Sequence, residues 1–191
     1  PHILPPNELI YKMSEETALR FYATLNQLTD GKSEKNPTGK GLDFARYRGV
    51  EFLKPDYRKR YQNAEHIGQT LSGIYRTHMV KRLESSFDAF KKSLRTLLQI
   101  TNDMIKMFDE DKVIIAPDLK VKELQVKGME LDQIIEHAIT KGYLAEEIVF
   151  PADAFEPKFQ EMLQHDKQIL EKLNKEWQKE HDAPKYNLFI S

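Results

Sequence analysis

One apolar stripe constrains the fold of this chain more than any other feature. Between Phe87 and Phe108, side chains suited to a protein core recur every three or four residues, at Phe87, Phe90, Leu94, Leu97, Thr101, Met104, Ile105 and Phe108. That spacing places them on one face of an α-helix, and polar residues such as Lys92 and Gln99 occupy the other face. The stripe therefore predicts a long amphipathic helix at the centre of the fold. Its start stays open, because Ser85 followed by Asp88 fits either a new helix start or a kinked continuation.

Shorter helical patterns flank this central helix on both sides. Ser14 has the character of an N-cap for a first helix that ends before Asp30. Further helices are predicted over Leu42–Leu53, from Pro55, over Ala64–Leu83, around Leu131–Ile139 and over Pro157–Glu180. Only Glu8–Met13 and Val113–Ala116 have the pattern of very short strands. The predicted fold class is all-α: an irregular multi-helix bundle with one long central helix and one or two very short strands.

Charge divides the chain more sharply than its net charge of −1 suggests. Between Lys40 and Arg95 there are thirteen Lys and Arg residues against six acids, a net charge of +7, so the remainder carries −8. We interpret residues 1–191 as one helical module, predicted to be a piece of a larger protein. Within it, residues 1–108 form a basic half and residues 109–191 an acidic half, and the glycine-rich segment 30–41 is expected to be a mobile loop.

The absence of cysteine narrows the chemistry available to the chain. It excludes disulfides, thiolate nucleophiles and cysteine-based metal sites. A chain without cysteine is typical of a reducing compartment. The apolar runs are short compared with the roughly 20 residues that a membrane-spanning helix needs. We therefore expect a cytoplasmic location and no membrane partner.

Catalytic motifs are incomplete or missing. Asp30-Gly31-Lys32-Ser33 ends like a phosphate-binding loop, but such a loop needs a glycine where Asn26 stands, so a solvated turn is favoured. His78 lies on an apolar stripe and fits a packed histidine, and Glu161 with His165 fits an ordinary surface pair. We predict no catalytic residue, no metal site and no cofactor in this chain.

Cations alternate with aromatic residues in the basic half. Such a mixture can bind phosphates and stack on bases. The alternative interpretation is that the cations lie on solvated helix faces while the tyrosines complete the core. The candidate nucleic-acid-binding residues are Arg46, Arg48, Arg58, Lys59, Arg60, Arg76, Lys81 and Arg82.

A resemblance to a known family rests on two stretches of the sequence, Gly73–Leu94 and Glu8–Leu25. In Lys81–Phe90, the sequence Lys-Arg-Leu-Glu-Ser-Ser is followed by an apolar residue and then by Ala-Phe, which is very similar to a signature of bacterial Swi/Snf-related helicases. The segment Leu42–Leu53 also resembles a connecting helix of that family. The signature residues are Lys81, Arg82, Leu83, Glu84, Ser85, Ser86, Phe87 and Phe90.

The resemblance implies a helical region between the two lobes of a superfamily-two, DNA-dependent ATPase. The flanking lobes of the same polypeptide would then be its partners and would bind ATP and Mg²⁺ for hydrolysis, while DNA would be a further partner. No catalytic residue carries over, so the implied role is to brace the lobes and contact the DNA backbone. A free-standing helical adaptor, which binds partner helices through Phe87–Phe108 and Phe159–Trp177, is the alternative.

Overall fold

The computed structural model describes residues 12–31, 39–59, 61, 64–115 and 149–180. Within these ranges the α-helices are α1 (Glu15–Thr29), α2 (Pro55–Arg58), α3 (Ala64–Ser85), α4 (Phe87–Asp109) and α5 (Pro157–Gln178). Two 3₁₀ helices span Ala45–Phe52 and Ala152–Ala154, and two short strands are β1 (Val113–Ile114) and β2 (Val149–Phe150). The predicted all-α class with very short strands is confirmed.

Several sequence-based predictions fall on positions without a described structure. Most of the predicted strand Glu8–Met13, the predicted helix around Leu131–Ile139 and positions 32–38 of the predicted loop lie outside the described residues. The ends of that loop are described. The backbone N–H of Gly41 donates to the carbonyl of Asp30 at 2.8 Å, and that of Leu42 donates to the carbonyl of Gln27 at 2.7 Å. These two bonds hold the return of the chain against the end of α1.

Two serines set the starts of long helices. Ser14 caps α1, as predicted, because its side chain accepts a hydrogen bond from the Thr17 N–H at 3.1 Å. Ser86 caps α4 by accepting from the Ala89 N–H at 3.3 Å, and its own backbone is extended. The boundary left open by the sequence therefore falls at Ser86, with Ser85 as the last residue of α3. A single non-helical residue separates the two helices.

The segment predicted as a helix over Leu42–Leu53 is a 3₁₀ helix, Ala45–Phe52, held between α3 and α5. On one side Tyr47 stacks on Tyr75 of α3, with ring centroids 3.8 Å apart. On the other side Phe52 stacks on Phe159 of α5 at 5.4 Å. A Cβ atom at Gly49 would stand 2.9 Å from the Ile115 side chain, so this position requires glycine for the close approach.

The apolar core consists of two clusters that share the same helices. The first contains Phe90 and Leu94 from the start of α4 with Leu170 and Trp177 from the end of α5. The second contains Phe108 from the end of α4 with Phe159 and Leu163 from the start of α5. Helices α4 and α5 therefore run antiparallel. Because α5 belongs to the acidic half of the sequence and α4 to the basic half, the described parts of both halves contribute to both clusters.

The two strands form one small sheet beside the helices. β1 pairs with β2 in antiparallel register, with Val113 opposite Phe150 and Ile114 opposite Val149. The side chains of Val113 and Phe150 are buried in the second cluster. Among the described helices, none has an apolar stretch long enough to cross a membrane.

Candidate functional site

The string Lys81–Phe90 forms the corner at which α3 ends and α4 begins. Lys81, Glu84, Ser85 and Ser86 are exposed, and Leu83 is fully buried. Arg82 is half-buried, and its Nε donates to the Nε2 of His78 at 3.1 Å. The string therefore presents polar side chains outward and anchors the corner through its apolar ones.

Trp177 of α5 fixes the inner side of this corner. Its ring meets Phe87 and Phe90 edge-on, with centroid distances of 4.9 Å and 5.2 Å. Its indole N–H donates to the Thr24 hydroxyl of α1 at 2.9 Å. One buried side chain thus connects the corner to both α5 and α1.

Most of the predicted DNA-binding arginines make contacts within the protein. Arg46 donates to the carbonyl of Ile100 at 2.8 Å, and Arg58 lies 3.4 Å from the carbonyl of Glu51. Arg48 binds the Glu51 carboxylate through two nitrogens, and Arg76 lies over the Phe44 ring with its guanidinium carbon 5.7 Å from the centroid. Lys59 is exposed and 3.0 Å from Asp56, while Arg60 lies outside the described residues.

Three cations in and just after the string have exposed side chains. They are Lys81 on α3 and Lys92 and Arg95 on α4, two and five residues past Phe90, and we refer to them as the exposed cations of the corner. The latter two contributed to the charge of the basic half but were not among the predicted binding residues. Lys92 and Arg95 are three residues apart and lie opposite the apolar stripe of α4. This spacing in the sequence identifies them as neighbours on one helix face.

A buried polar cluster lies between the two apolar clusters. Both carboxylate oxygens of Asp166, on α5, accept backbone N–H bonds at 2.7 Å, one from Asp43 and one from Ala45. Phe44, the residue between them, has a left-handed backbone with φ of 53°. A bulky residue rarely adopts that conformation unless its surroundings impose it. Asp166 therefore holds the strained turn from which the 3₁₀ helix starts.

The same cluster contains buried side chains of both charge signs. The side chains of Asp43 and Asp166 are only 1% and 3% exposed. Burial raises the pKa of Asp166 to about 7, although the hydrogen bonds from Ala45 and Asp43 and the charge of Arg48 oppose the rise. Burial also acts to lower the pKa of Arg48, but its hydrogen bond and charge contact with Glu51 outweigh this and raise it.

Arg76 completes the charged surroundings of the two aspartates. Its pKa is lowered by burial and by repulsion from Arg48, while Asp43 and Asp166 act in the opposite direction. His165 adds an imidazole at the edge, with its Nδ1 atom 3.5 Å from the Oδ2 atom of Asp43. Three acids, Asp43, Glu51 and Asp166, thus face two arginines and one histidine.

Three residues of this cluster have the atom types of a metal site. Oxygen or nitrogen atoms of Asp43, His165 and Asp166 lie within 4.8 Å of one another, the one such group among the described residues. Both oxygens of Asp166 accept hydrogen bonds from backbone donors, and Arg48 and Arg76 supply positive charge nearby. A polar layer that fixes the 3₁₀ helix against α5 is therefore the interpretation that the contacts favour.

Sequence reasoning did not find this cluster. It considered His165 only as a surface partner of Glu161, and it did not single out Asp43 or Asp166. A signal for Asp166 was present, because it falls three residues after Leu163 and four before Leu170, on the buried stripe of α5. An acid at such a position predicts a buried carboxylate with specific partners.

Comparison with known proteins gives no further identification, since no protein-family model, no curated protein and no solved structure matches this chain.

Proposed function

We propose that this chain is a helical brace between the lobes of a Swi/Snf-like, DNA-dependent ATPase, and that its basic corner contacts the DNA backbone. ATP and Mg²⁺ would be bound by the flanking lobes, and the chain itself would supply no catalytic residue. Its contribution would be mechanical, through stiff helices, and electrostatic, through cations aimed at phosphates. The proposal starts from the resemblance of Lys81–Phe90 to the family signature.

The observation that carries the proposal is the position of that string in the fold. It joins two long helices, α3 and α4, which have 22 and 23 residues. At a rise of 1.5 Å per residue, each extends for about 33–35 Å. One non-helical residue, Ser86, forms the bend, and Trp177 packs against Phe87 and Phe90 on its inner side. A short bend between long, anchored helices suits an element that transmits force.

The charges along α4 support a polyanion as the ligand of the corner. Lys91, Lys92 and Arg95 lie in the first turns of α4, and Asp109 with Glu110 lies at its end. Helices are stabilised by the opposite arrangement, with acids at the N-terminus and cations at the C-terminus. Asp88 and Lys106 follow that rule, but the excess of cations at the start does not. Lys91 donates to the Glu180 carbonyl at 2.7 Å, so Lys92 and Arg95 are the cations of this end with exposed side chains that could meet a phosphate.

Removing the exposed cations of the corner should weaken DNA binding by the intact chain. In the triple variant Lys81→Ala, Lys92→Ala, Arg95→Ala, we expect the affinity for a duplex of arbitrary sequence to fall at least tenfold at about 50 mM salt, because about three phosphate contacts are lost. The slope of log affinity against log salt should become shallower by about 2 to 3. Fluorescence anisotropy with a labelled duplex measures both quantities.

A matched control removes the same charge elsewhere. Lys158, Lys175 and Lys179 are exposed on or beside α5, so their replacement by alanine changes the net charge equally. This control should bind DNA within about twofold of the unaltered chain. Equal weakening in the two triple variants, or binding that does not respond to salt, would contradict a specific role for the corner.

One observation favours the alternative of a helical adaptor. Leu19 and Tyr22, three residues apart on α1, are 67% and 61% exposed and lie on one face of that helix. Such a face could pack on a partner helix. The full-length reading frame distinguishes the two functions, because a brace requires flanking nucleotide-binding and second-lobe motifs and an adaptor does not.

A further inference from the structure

The buried polar cluster between the 3₁₀ helix and α5 has more acids than arginines. Its acids, Asp43, Glu51 and Asp166, are 1%, 9% and 3% exposed. Its arginines are Arg48 and Arg76, both half-buried and both influenced by the charges of Asp43 and Asp166. With all three acids ionised, these five side chains carry a net charge of −1. An uncompensated buried charge is costly, and one bound proton removes it.

Asp43 and Asp166 form the carboxyl pair that is best placed to hold this proton. The third acid, Glu51, is already paired with Arg48 at 2.8 Å. Oxygens of Asp43 and Asp166 lie within 4.8 Å of each other, and two like charges at that separation disfavour each other in a buried site. Burial, assisted by the charge of Asp43, raises the pKa of Asp166 to about 7 despite its hydrogen bonds from the backbone.

Ionisable groups of three other elements surround the carboxyl pair. They are Arg48 and Glu51 of the 3₁₀ helix, Arg76 of α3 and His165 of α5. On α4, which packs against α5, Asp103 and Lys106 lie 4.0 Å apart at the surface. Arginines keep their charge at neutral pH, whereas His165, 3.5 Å from Asp43, can change its own. The contribution of His165 to a pH effect therefore needs its own test.

The carboxyl group of Asp166 also holds a strained stretch of backbone. Its two oxygens accept from the N–H groups of Asp43 and Ala45 at 2.7 Å, and Phe44 between them has a φ of 53°. The 3₁₀ helix that follows has eight residues, whereas 3₁₀ runs longer than about four residues are uncommon. The backbone on both sides of Ala45 is thus in a conformation that depends on its tertiary contacts.

We propose that the turn at residues 43–45 is a proton-gated latch between the 3₁₀ helix and α5. One proton on the carboxyl pair keeps the latch closed. Loss of that proton leaves two buried carboxylates facing each other, and the turn then opens by releasing its two N–H groups from Asp166. Opening also relieves the left-handed backbone of Phe44, so the strain of the closed turn favours release. The latch is a local device, and its opening leaves the long helices intact.

Opening of the latch has a consequence for Arg46, the residue that follows the turn. In the closed form Arg46 donates to the Ile100 carbonyl of α4 at 2.8 Å. A released turn would let this candidate DNA-binding side chain leave that carbonyl and reach solvent. This consequence rests on the proposed function, whereas the latch itself does not.

Amide hydrogen exchange followed by NMR tests the latch in the intact chain without DNA. With a pKa of about 7 in the closed form and the ordinary 3.8 in the open form, opening should become about tenfold more favourable from pH 6 to pH 8. After correction for the intrinsic pH dependence of exchange, the protection of the Asp43 and Ala45 amides should fall by that factor. At pH 8 it should be at least tenfold below the protection of the Leu94 and Leu97 amides in the core of α4. Protection equal to that of α4, or unchanged between the two pH values, would overturn the proposal.

Variants locate the proton within the cluster. In Asp166→Asn the group that titrates is gone, so the protection of the Ala45 amide should no longer depend on pH. In Asp43→Asn the facing charge is gone, so the transition should move to lower pH, and this variant serves if Asp166→Asn does not fold. His165→Gln is the control and should keep the tenfold change. A pH dependence that persists in Asp166→Asn, or that is lost in His165→Gln, would place the proton elsewhere and overturn the proposal.

Duplex binding by Arg46→Ala tests the consequence for DNA. We expect this variant to bind at least threefold more weakly than the unaltered chain at pH 8 and within about 1.5-fold of it at pH 6, because the side chain is available only when the latch is open. An equal effect at both pH values would show that the latch does not control Arg46. An unaltered chain that binds no DNA at either pH would contradict the proposed function, and the exchange measurements would still decide on the latch.

Discussion

Replacing Asp166 with alanine is expected to lower the free energy of unfolding by about 3 kcal/mol or more, because two buried backbone N–H groups lose their acceptor. These donors belong to Asp43 and Ala45, on either side of the left-handed residue Phe44. Without the carboxylate, the turn loses both of its backbone hydrogen bonds to α5, which offset its strain. Urea denaturation followed by circular dichroism measures the change.

Glu171→Ala on the same helix is the matched control. Its carboxylate is half-exposed and 3.9 Å from Lys167, so its loss should change stability by less than about 0.5 kcal/mol. A comparably small effect at Asp166 would show that the turn does not depend on it.

The raised pKa of Asp166 allows a second, independent test of its role, through the pH dependence of stability. Because the folded-state pKa of about 7 exceeds the ordinary value of 3.8, its contribution to stability is fully present below about pH 4 and is lost as the pH rises to about 7. Asp166→Asn removes this titration. The stability of the unaltered chain relative to this variant should therefore be greater at pH 5 than at pH 8. A difference that stays constant over that range would contradict the raised pKa.

Replacing Trp177 with alanine should cost about 3–5 kcal/mol, the range for deleting a large aromatic side chain from a core. The residue is fully buried between Phe87 and Phe90 and donates to Thr24, so the substitution leaves a cavity and removes a hydrogen bond. Because Trp177 is the single tryptophan, unfolding must be followed by circular dichroism rather than fluorescence.

Leu19→Ala provides the apolar control for Trp177. Leu19 is 67% exposed, so its truncation should change stability by less than about 0.5 kcal/mol. If Trp177→Ala changed stability as little as Leu19→Ala, α5 would not be packed on the corner as described. If it separated unfolding into two transitions, the two apolar clusters would not form one cooperative unit.

The long helices could be predicted from the sequence because their signals are local. The stripe from Phe87 to Phe108 defines α4, the spacing from Phe159 to Trp177 defines most of α5, and Ser14 marks the start of α1. In each case periodicity or a cap within a few residues carries the information. Only the start of α4 could not be assigned from the sequence, since Ser85 followed by Asp88 fits either a new helix start or a kinked continuation.

The geometry around the 3₁₀ helix could not be predicted in this way. The left-handed turn at Phe44 depends on Asp166, whose bonded partner Asp43 is 123 residues away in the sequence. The orientation of the arginines depends likewise on tertiary packing. Arg48 and Glu51 are three residues apart on the 3₁₀ helix and pair with each other, but only the packing of that helix between α3 and α5 buries the pair. Composition predicts a basic surface, but tertiary packing determines which of those cations stay exposed.

Lysine footprinting tests the central claim most directly, namely that the corner between α3 and α4 contacts the DNA backbone. The intact chain is acetylated with and without duplex DNA, and modification at each lysine is compared by mass spectrometry. We expect DNA to protect Lys81 and Lys92 several-fold and to leave Lys158 and Lys172 on α5 unchanged. Equal modification at all four lysines with and without DNA, or protection confined to those of α5, would contradict the claim.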